Sequence, residues 1–358
     1  VFVQIVAPPG SATAEPADCL RSFVFDANLA AQEASGDPAA SGSPRRVLQR
    51  LQGSTESRTL LFGLTDSALG EAGELGLPVI SAAEPSPETD FDGFIHISLP
   101  LLEEPENADI ECVLAADLLP MPGEDLEPEA LEVTRALAKE ALLLTRHLGR
   151  STVQVGMLYP PDADYTYDPM SQAYLELGFK QKHAEHQMYV DISPTPPVLG
   201  AQVWADYDIP DEMLDDVLRL LTLASTDAIF GDLSVEPIVW TRQRLAEAHA
   251  RLRSRGAHTL LVGIIDNGRV VALTELSRHG DADPEVCEWT LTVTDREHRR
   301  QGLATKAKQH AQYAVAEHWP MVRRAYCSVA DADPAMNALY ARLGAHAISA
   351  SSAYELTL

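Results

Sequence analysis

Residues 299–304 read RRQGLA, and downstream Tyr340 stands in ALYARLG. The first stretch suits an anion. An apolar strand, VCEWTLTV, runs into a short turn and then an alanine-rich helix, so unpaired backbone N–H groups and the positive end of the helix dipole converge on one spot. Gly302 permits close backbone approach and unusual dihedrals, and Ala304 keeps the first helical turn narrow. Tyr340 brings a phenol, a proton donor for a leaving group of similar basicity. Tyr340 also lies on an apolar helix face with Met336, Leu339 and Leu343, so core packing is the competing reading. Two carboxylates on neighbouring strands could accept a proton: Glu288, with Glu275 as its rival. Strand alternation groups Glu288, Thr290 and Thr292 on one face and Trp289, Leu291 and Val293 on the other. His298 and His310 flank the loop and read as surface residues with no metal geometry between them. Ser328 has neither a nucleophile elbow nor a triad partner, which argues for direct transfer over a covalent intermediate.

The elements that must position these residues occur twice. DPMSQAYLELGF, from Asp168, resembles DPAMNALYARLGA, from Asp333. In each, Asp caps a helix, Pro fills its first turn and Gly ends it. Around the second copy the order is strand VWA, helices over 211–224 and 241–255, strand HTLLVGIID, an Asn-Gly turn, strand VVALTEL, strand VCEWTLTV, the loop and its helix to about His318, strand RAYCSV, the capped helix, and strand AYELTL. The first half follows a similar order, beginning with VFVQIV, which lacks a basic flank and reads as a strand and not as a secretion signal. Two α/β units of comparable size follow from this, joined at the proline-rich DISPTPPVLGAQ.

Composition narrows the class of function. The 358 residues carry a formal net charge of -26 and no apolar run long enough for a membrane helix. Residues 1–200 hold 31 acidic against 11 basic side chains, whereas residues 201–358 hold 22 against 16. A nucleic-acid partner is not expected of so acidic a chain, nor a membrane. Four separated cysteines without ligand spacing predict reduced thiols in a cytoplasmic protein, and no structural zinc.

The pattern T-V-x-x-x-x-H-R-x-x-G-L-A-x-x-x-K over Thr292–Lys308, followed by the tyrosine helix, resembles the GNAT superfamily of acyl-CoA-dependent N-acyltransferases. The spacing is similar to that of its two-domain actinobacterial members, and distantly to the mycothiol synthase group. The resemblance implies two tandem GNAT-like domains of the α/β (α+β) class, each a mixed, mostly antiparallel sheet flanked by helices. They would occupy residues 1–192 (degenerate) and 203–358 (acyl-CoA-binding), with 193–202 as linker. It implies that backbone groups of Leu291, Thr292 and Val293 pair with the pantetheine arm of acetyl-CoA, the acyl donor. It also implies that backbone amides over Arg300, Gln301, Gly302, Leu303, Ala304 and Thr305 hold the pyrophosphate. Arg299, Arg300 or Lys306 would reach a CoA phosphate, unless each is merely a solvated charge. Tyr340 would be the general acid and Glu288 the base. One departure stands out: Asp333 replaces the Asn that commonly precedes the tyrosine helix, which keeps the cap and loses an amide contact.

In the first half the corresponding loop reads DLLPMPGEDLEPEALE. It lacks the anion motif, and its prolines remove amide donors. Glu124, Asp125, Glu127 and Glu129 stand where a pyrophosphate would sit, so this half is expected not to bind CoA in the usual way. Tyr174 there reads as a core residue. The expected activity is transfer of an acetyl group to the primary amine of a small molecule, and the acidic first half suits a cationic acceptor. No metal is expected, and the expected state is a monomer or a weak homodimer. Two alternatives stay open: a non-catalytic CoA-binding sensor or interaction module, and a structural protein with an accidental loop.

Overall fold

The computed structural model describes the whole chain except residues 39–40, 68–69, 121–124, 164–167 and 281. Two compact units emerge, and neither is continuous in sequence. The first comprises Val1–Ala184, Gly231–Ser234 and Ser349–Leu358; the second comprises Glu185–Phe230 and Val235–Ile348.

In the first unit, β1 (Phe2–Val6) lies between β3 (Val79–Ser81), parallel to it, and β2 (Ser57–Leu64), antiparallel. Antiparallel pairing continues through β4 (Gly93–Pro100) to β5 (Asn107–Leu114). β5 then pairs in parallel with β6 (Thr152–Tyr159), and the C-terminal part of β13 (His346–Thr357) closes this edge antiparallel to β6. Helices α1 (Asp18–Ser35) and α2 (Pro44–Leu51) contribute to the core on one side of this sheet, with Cys19, Phe23 and Leu48 against Phe94. On the other side α3 (Pro128–His147) and α4 (Pro169–Glu176) bury Leu137, Ala141 and Tyr174 against Phe62 and Ile95.

The second unit repeats the plan. β8 (Ala201–Ala205), β9 (His258–Asp266), β10 (Arg269–Arg278) and β11 (Val286–Thr294) form an antiparallel run. β11 pairs in parallel with β12 (Arg324–Ala330), and residues 185–191 of β7 (Lys180–Asp191) lie antiparallel to β12. The expected mixed, mostly antiparallel sheet is therefore present in both units. Most of the strand after α4 thus serves the second unit, and most of the strand after the second unit's last helix serves the first.

β9 and β10 are buried along nearly their whole length because both faces are covered. α5 (Asp211–Thr226) and α6 (Arg242–Ser254) cover one, placing Val217, Leu221 and Leu245 against Leu261 and Leu273. α7 (Leu303–His318) and α8 (Pro334–Arg342) cover the other, with Ala311, Ala314, Val315 and Tyr340 against Leu260, Val262 and Leu276. The Asn267-Gly268 turn joins β9 to β10 with both residues at positive φ, 47° and 76°, as a tight hairpin requires.

The proline-rich segment before β8 is tied to α7. Thr195 Oγ1 donates to the Gln309 carbonyl at 2.7 Å, and the Val198 N–H donates to His310 Nδ1 at 3.0 Å. His310 is accordingly buried, which corrects its reading as a surface residue. The periodicity of α7 explains the correction, since Ala307, His310, Ala311 and Ala314 fall on the helix face turned inward.

Candidate active site

The loop between β11 and α7 is built by a change of backbone hand. After β11, Asp295 accepts a hydrogen bond from the Glu297 N–H at 3.1 Å and opens a single 3-10 turn over Arg296–His298. Arg299 is extended, Arg300 turns to φ 66°, and Gly302 caps α7 at φ 75°. A left-handed arginine is uncommon and mildly strained. No side chain caps α7, and its first ladder bond is Lys306 N–H to the Gly302 carbonyl, 3.0 Å. The amides of Leu303, Ala304 and Thr305 therefore have no partner within the helix, and a Cβ added to Gly302 would meet nothing within 4 Å. Backbone donors and space occur together, as an anion requires.

The arginines divide their roles. Arg299 and Arg296 both bind Asp227 just after α5, and Arg299 Nε also donates to the Thr294 carbonyl at 3.2 Å. Hydrogen bonds from Arg296, then from Arg299, hold the Asp227 carboxyl down at about 2. Arg219 binds Asp295 in turn. Arg299 thus braces the loop, while Arg300 and Lys306 are exposed and have no ion-pair partner among the described residues.

β11 and β12 pair only over Val286–Glu288 and then separate. Beyond Glu288, β11 keeps its antiparallel partner β10 on one side and, among the described residues, has no ladder partner on the other, so Leu291, Thr292 and Val293 border a split between two parallel strands. A bulge sits at the same place: Glu275 pairs with Leu291 and Leu276 with Trp289, leaving Thr290 as the extra residue. The bulge breaks the alternation read from sequence. Trp289 packs with Leu276 on the α7 face, whereas Leu291 and Val293 pack with Leu273 on the α5 face. Thr292 is correspondingly on the α7 face, where Thr274 Oγ1 is 2.8 Å from Thr292 Oγ1 and also accepts from Trp289 Nε1 at 2.8 Å.

Glu275 is buried, and its two carboxylate oxygens accept from Tyr207 at 2.7 Å and from Thr290 at 2.6 Å. Burial raises its pKa against the lowering effect of those two hydroxyls. Glu288 is exposed at the last paired position of β11, opposite Tyr326. Being adjacent to Trp289 along the strand, it faces away from α7.

Tyr340 lies on α8, whose N-terminus is capped by Asp333 through the N–H groups of Ala335 and Met336, at 3.1 and 2.9 Å. It is 3% exposed and packs edge-on to Trp289 with ring centroids 6.3 Å apart. Its hydroxyl accepts a 2.7 Å hydrogen bond from the Nζ of Lys308, a residue of α7 that is fully buried. Burial, then the neighbouring Cys327, pushes the phenol well above its ordinary value. Sequence reasoning missed Lys308, although a signal was available: it lies four residues after Ala304 and three before Ala311, on the inward face.

In the first unit the equivalent turn is the 3-10 segment Ala116–Leu118, where Asp26 accepts from the Ala116 N–H at 3.1 Å. Glu124 lies outside the described residues; Asp125, Glu127 and Glu129 precede or open α3, whose first residue is Pro128. Tyr174 is fully buried against Phe179, ring centroids 5.2 Å apart, as expected of a core residue. The lysine of α3, Lys139, is exposed.

Residues 226–345 match the Acetyltransferase (GNAT) family. No curated protein matches the sequence. Among solved structures, a tandem GNAT protein from the clavulanic acid biosynthesis pathway shares 18% identity, with a TM-score of 0.68 over 100% of this chain and 98% of the other. A GCN5-related N-acetyltransferase from Sphaerobacter thermophilus shares 14%, with a TM-score of 0.60 over 99% and 95%. A GNAT-family acetyltransferase from Colwellia psychrerythraea shares 11%, with a TM-score of 0.53 over 96% and 99%.

Proposed function

We propose that this chain, in which residues 226–345 match the GNAT family and whose fold is that of a tandem GNAT protein, uses its second unit to transfer an acetyl group from acetyl-CoA to a primary amine of a small molecule, by direct attack. One observation carries this reading. The left-handed turn at Arg300 and Gly302, the split between β11 and β12, and the hydroxyl of Tyr340 all belong to the consecutive run β11, α7, β12 and α8. Such an arrangement suits a long ligand with an anionic end and a reactive end.

In this reading the amides of Leu303 to Thr305 bind the pyrophosphate, with Arg300 and Lys306 as the cations free to approach it, and the backbone of Leu291 to Val293 pairs with the pantetheine arm. Glu288 accepts a proton from the amine as the new C–N bond forms. The C–S bond then breaks, and Tyr340 gives its proton to the thiolate. Glu275, already engaged by two hydroxyls, shapes the acceptor side and does not serve as the base. The first unit lacks the loop and does not bind CoA in this way.

Thiol release from acetyl-CoA with a panel of primary amines, neutral and cationic, tests the proposal. Release that depends on the amine supports it. Tight CoA binding with no release for any amine would assign a binding module, and no CoA binding would remove both readings.

A further inference from the structure

Lys308 is one of five lysines in the chain and, at 0% exposure, is among the largest fully buried side chains. Its Nζ lies 2.7 Å from the Tyr340 hydroxyl, 3.8 Å from the centroid of Trp289 and 4.1 Å from that of Tyr340. From β12, Cys327 is the titratable group that faces it. Among the described residues it has no carboxylate partner, although a buried ammonium ordinarily requires one. A lysine placed in this way is a poor choice for packing, where methionine would fill the same volume without a polar atom.

We propose that Lys308 is a positioning residue for Tyr340: by donating an N–H to the phenol oxygen, it turns the O–H away from itself and toward the departing sulfur. This rests on the acyltransferase reading of the second unit. A phenol oxygen that accepts from Lys308 keeps its own proton for another acceptor. When the C–S bond breaks, the O–H bond of Tyr340 breaks and an S–H bond forms. The phenolate so produced retains the N–H of Lys308 as its donor, in an apolar site where that bond is strong. The proton lost by the acceptor amine to the base returns to Tyr340 through solvent, and the balance is acyl-CoA plus amine giving amide plus thiol.

The internal repeat supports the assignment. Tyr174 occupies the same place in the first unit, which lacks the anion loop, and there the lysine of α3 is exposed. A buried lysine against this tyrosine is therefore not demanded by the fold. Burial also depresses the basicity of Lys308 well below the ordinary lysine value, and in either protonation state its Nζ retains N–H groups to donate.

The test compares Lys308→Met, Tyr340→Phe and the double variant with the wild-type chain. Lys308→Met should lower kcat at least tenfold, leave KM for acetyl-CoA within about twofold, and not lower the thermal midpoint. Lysine and tyrosine act as a unit, so the double variant should be no slower than Tyr340→Phe alone. Unchanged kcat in Lys308→Met, or losses that multiply in the double variant, would overturn the proposal. NMR of protein labelled at lysine 13Cε gives a readout without turnover, the Lys308 signal being the one missing from Lys308→Met. That signal should titrate below the other four and move in Tyr340→Phe; a signal that titrates with the others and ignores Tyr340→Phe rejects the contact. If no amine supports thiol release, the acyltransferase reading fails, and the NMR result still decides the Lys308–Tyr340 contact separately.

Discussion

Asp227 and Arg299, separated by 72 residues of chain, are hydrogen-bonded to each other just beyond the end of α5, and Arg296 shares the same carboxylate. Two of the three arginines that make the loop conspicuous in an acidic sequence are therefore occupied in holding its shape. Asp227→Asn should loosen the loop and raise KM for acetyl-CoA by roughly threefold to tenfold, with a smaller effect on kcat. Steady-state kinetics at low and moderate salt checks this. The Asp227 carboxyl, held at about 2 against an ordinary 3.8, contributes its pairing fully above pH 3.8 and loses it only as pH falls through about 2, so the effect should be constant across neutral pH.

Gly302 at φ 75° has open space where a side chain would project. Gly302→Val should abolish CoA binding, because the branched Cβ fills the anion site and disfavours the left-handed turn. That strain costs about 1 to 2 kcal/mol, equivalent to a fall of about 2 to 8 °C in the thermal midpoint. Calorimetric titration with CoA, alongside the melting curve, separates lost binding from lost folding.

Tyr340→Phe retains the ring that packs on Trp289 and removes only the hydroxyl. A general acid of this kind contributes about 10² to 10⁴ in rate, so kcat should fall within that range while KM for acetyl-CoA stays nearly constant. Thiol release followed from pH 6 to 10 is the measurement. A variant that turns over at the wild-type rate at every pH would end the assignment.

His310 Nδ1 accepts the Val198 N–H, which requires the neutral ring, and burial lowers its pKa below the ordinary 6.5. The unfolded chain therefore binds the proton first. Stability from this residue is fully present above pH 6.5 and is lost as pH falls below it toward the folded value. His310→Asn keeps an acceptor and removes the titration. The wild-type midpoint should exceed that of the variant at pH 7.5, and the gap should narrow by a few degrees by pH 5, as differential scanning calorimetry can record.

Much of the site could be read from local signals. The Asp-Pro caps of α4 and α8, the Asn-Gly hairpin and the strand-to-helix loop each depend on residues within a few positions of one another, and each is found in the structure. The inward setting of Lys308 and His310 was also local, carried by the period of α7, but a charged or polar side chain on that face competes with the expectation that such residues seek water.

Sequence by itself determined that two similar α/β units exist, that only the second carries the R-x-x-G-x-A strand-to-helix turn, and that a tyrosine helix follows it. Tertiary structure alone decided the face of Leu291 to Val293. A single extra residue at Thr290 reverses every side chain after it, and a bulge is a property of two strands together. It alone committed Arg299 to Asp227, since an ion pair across 72 residues leaves no trace in spacing. It also sent residues 185–191 of β7 to the second unit's sheet and Ser349–Leu358 to the first. A strand's alternation specifies that it will pair and bury one face, and the choice of neighbour depends on which sheet edge the folded chain brings within reach.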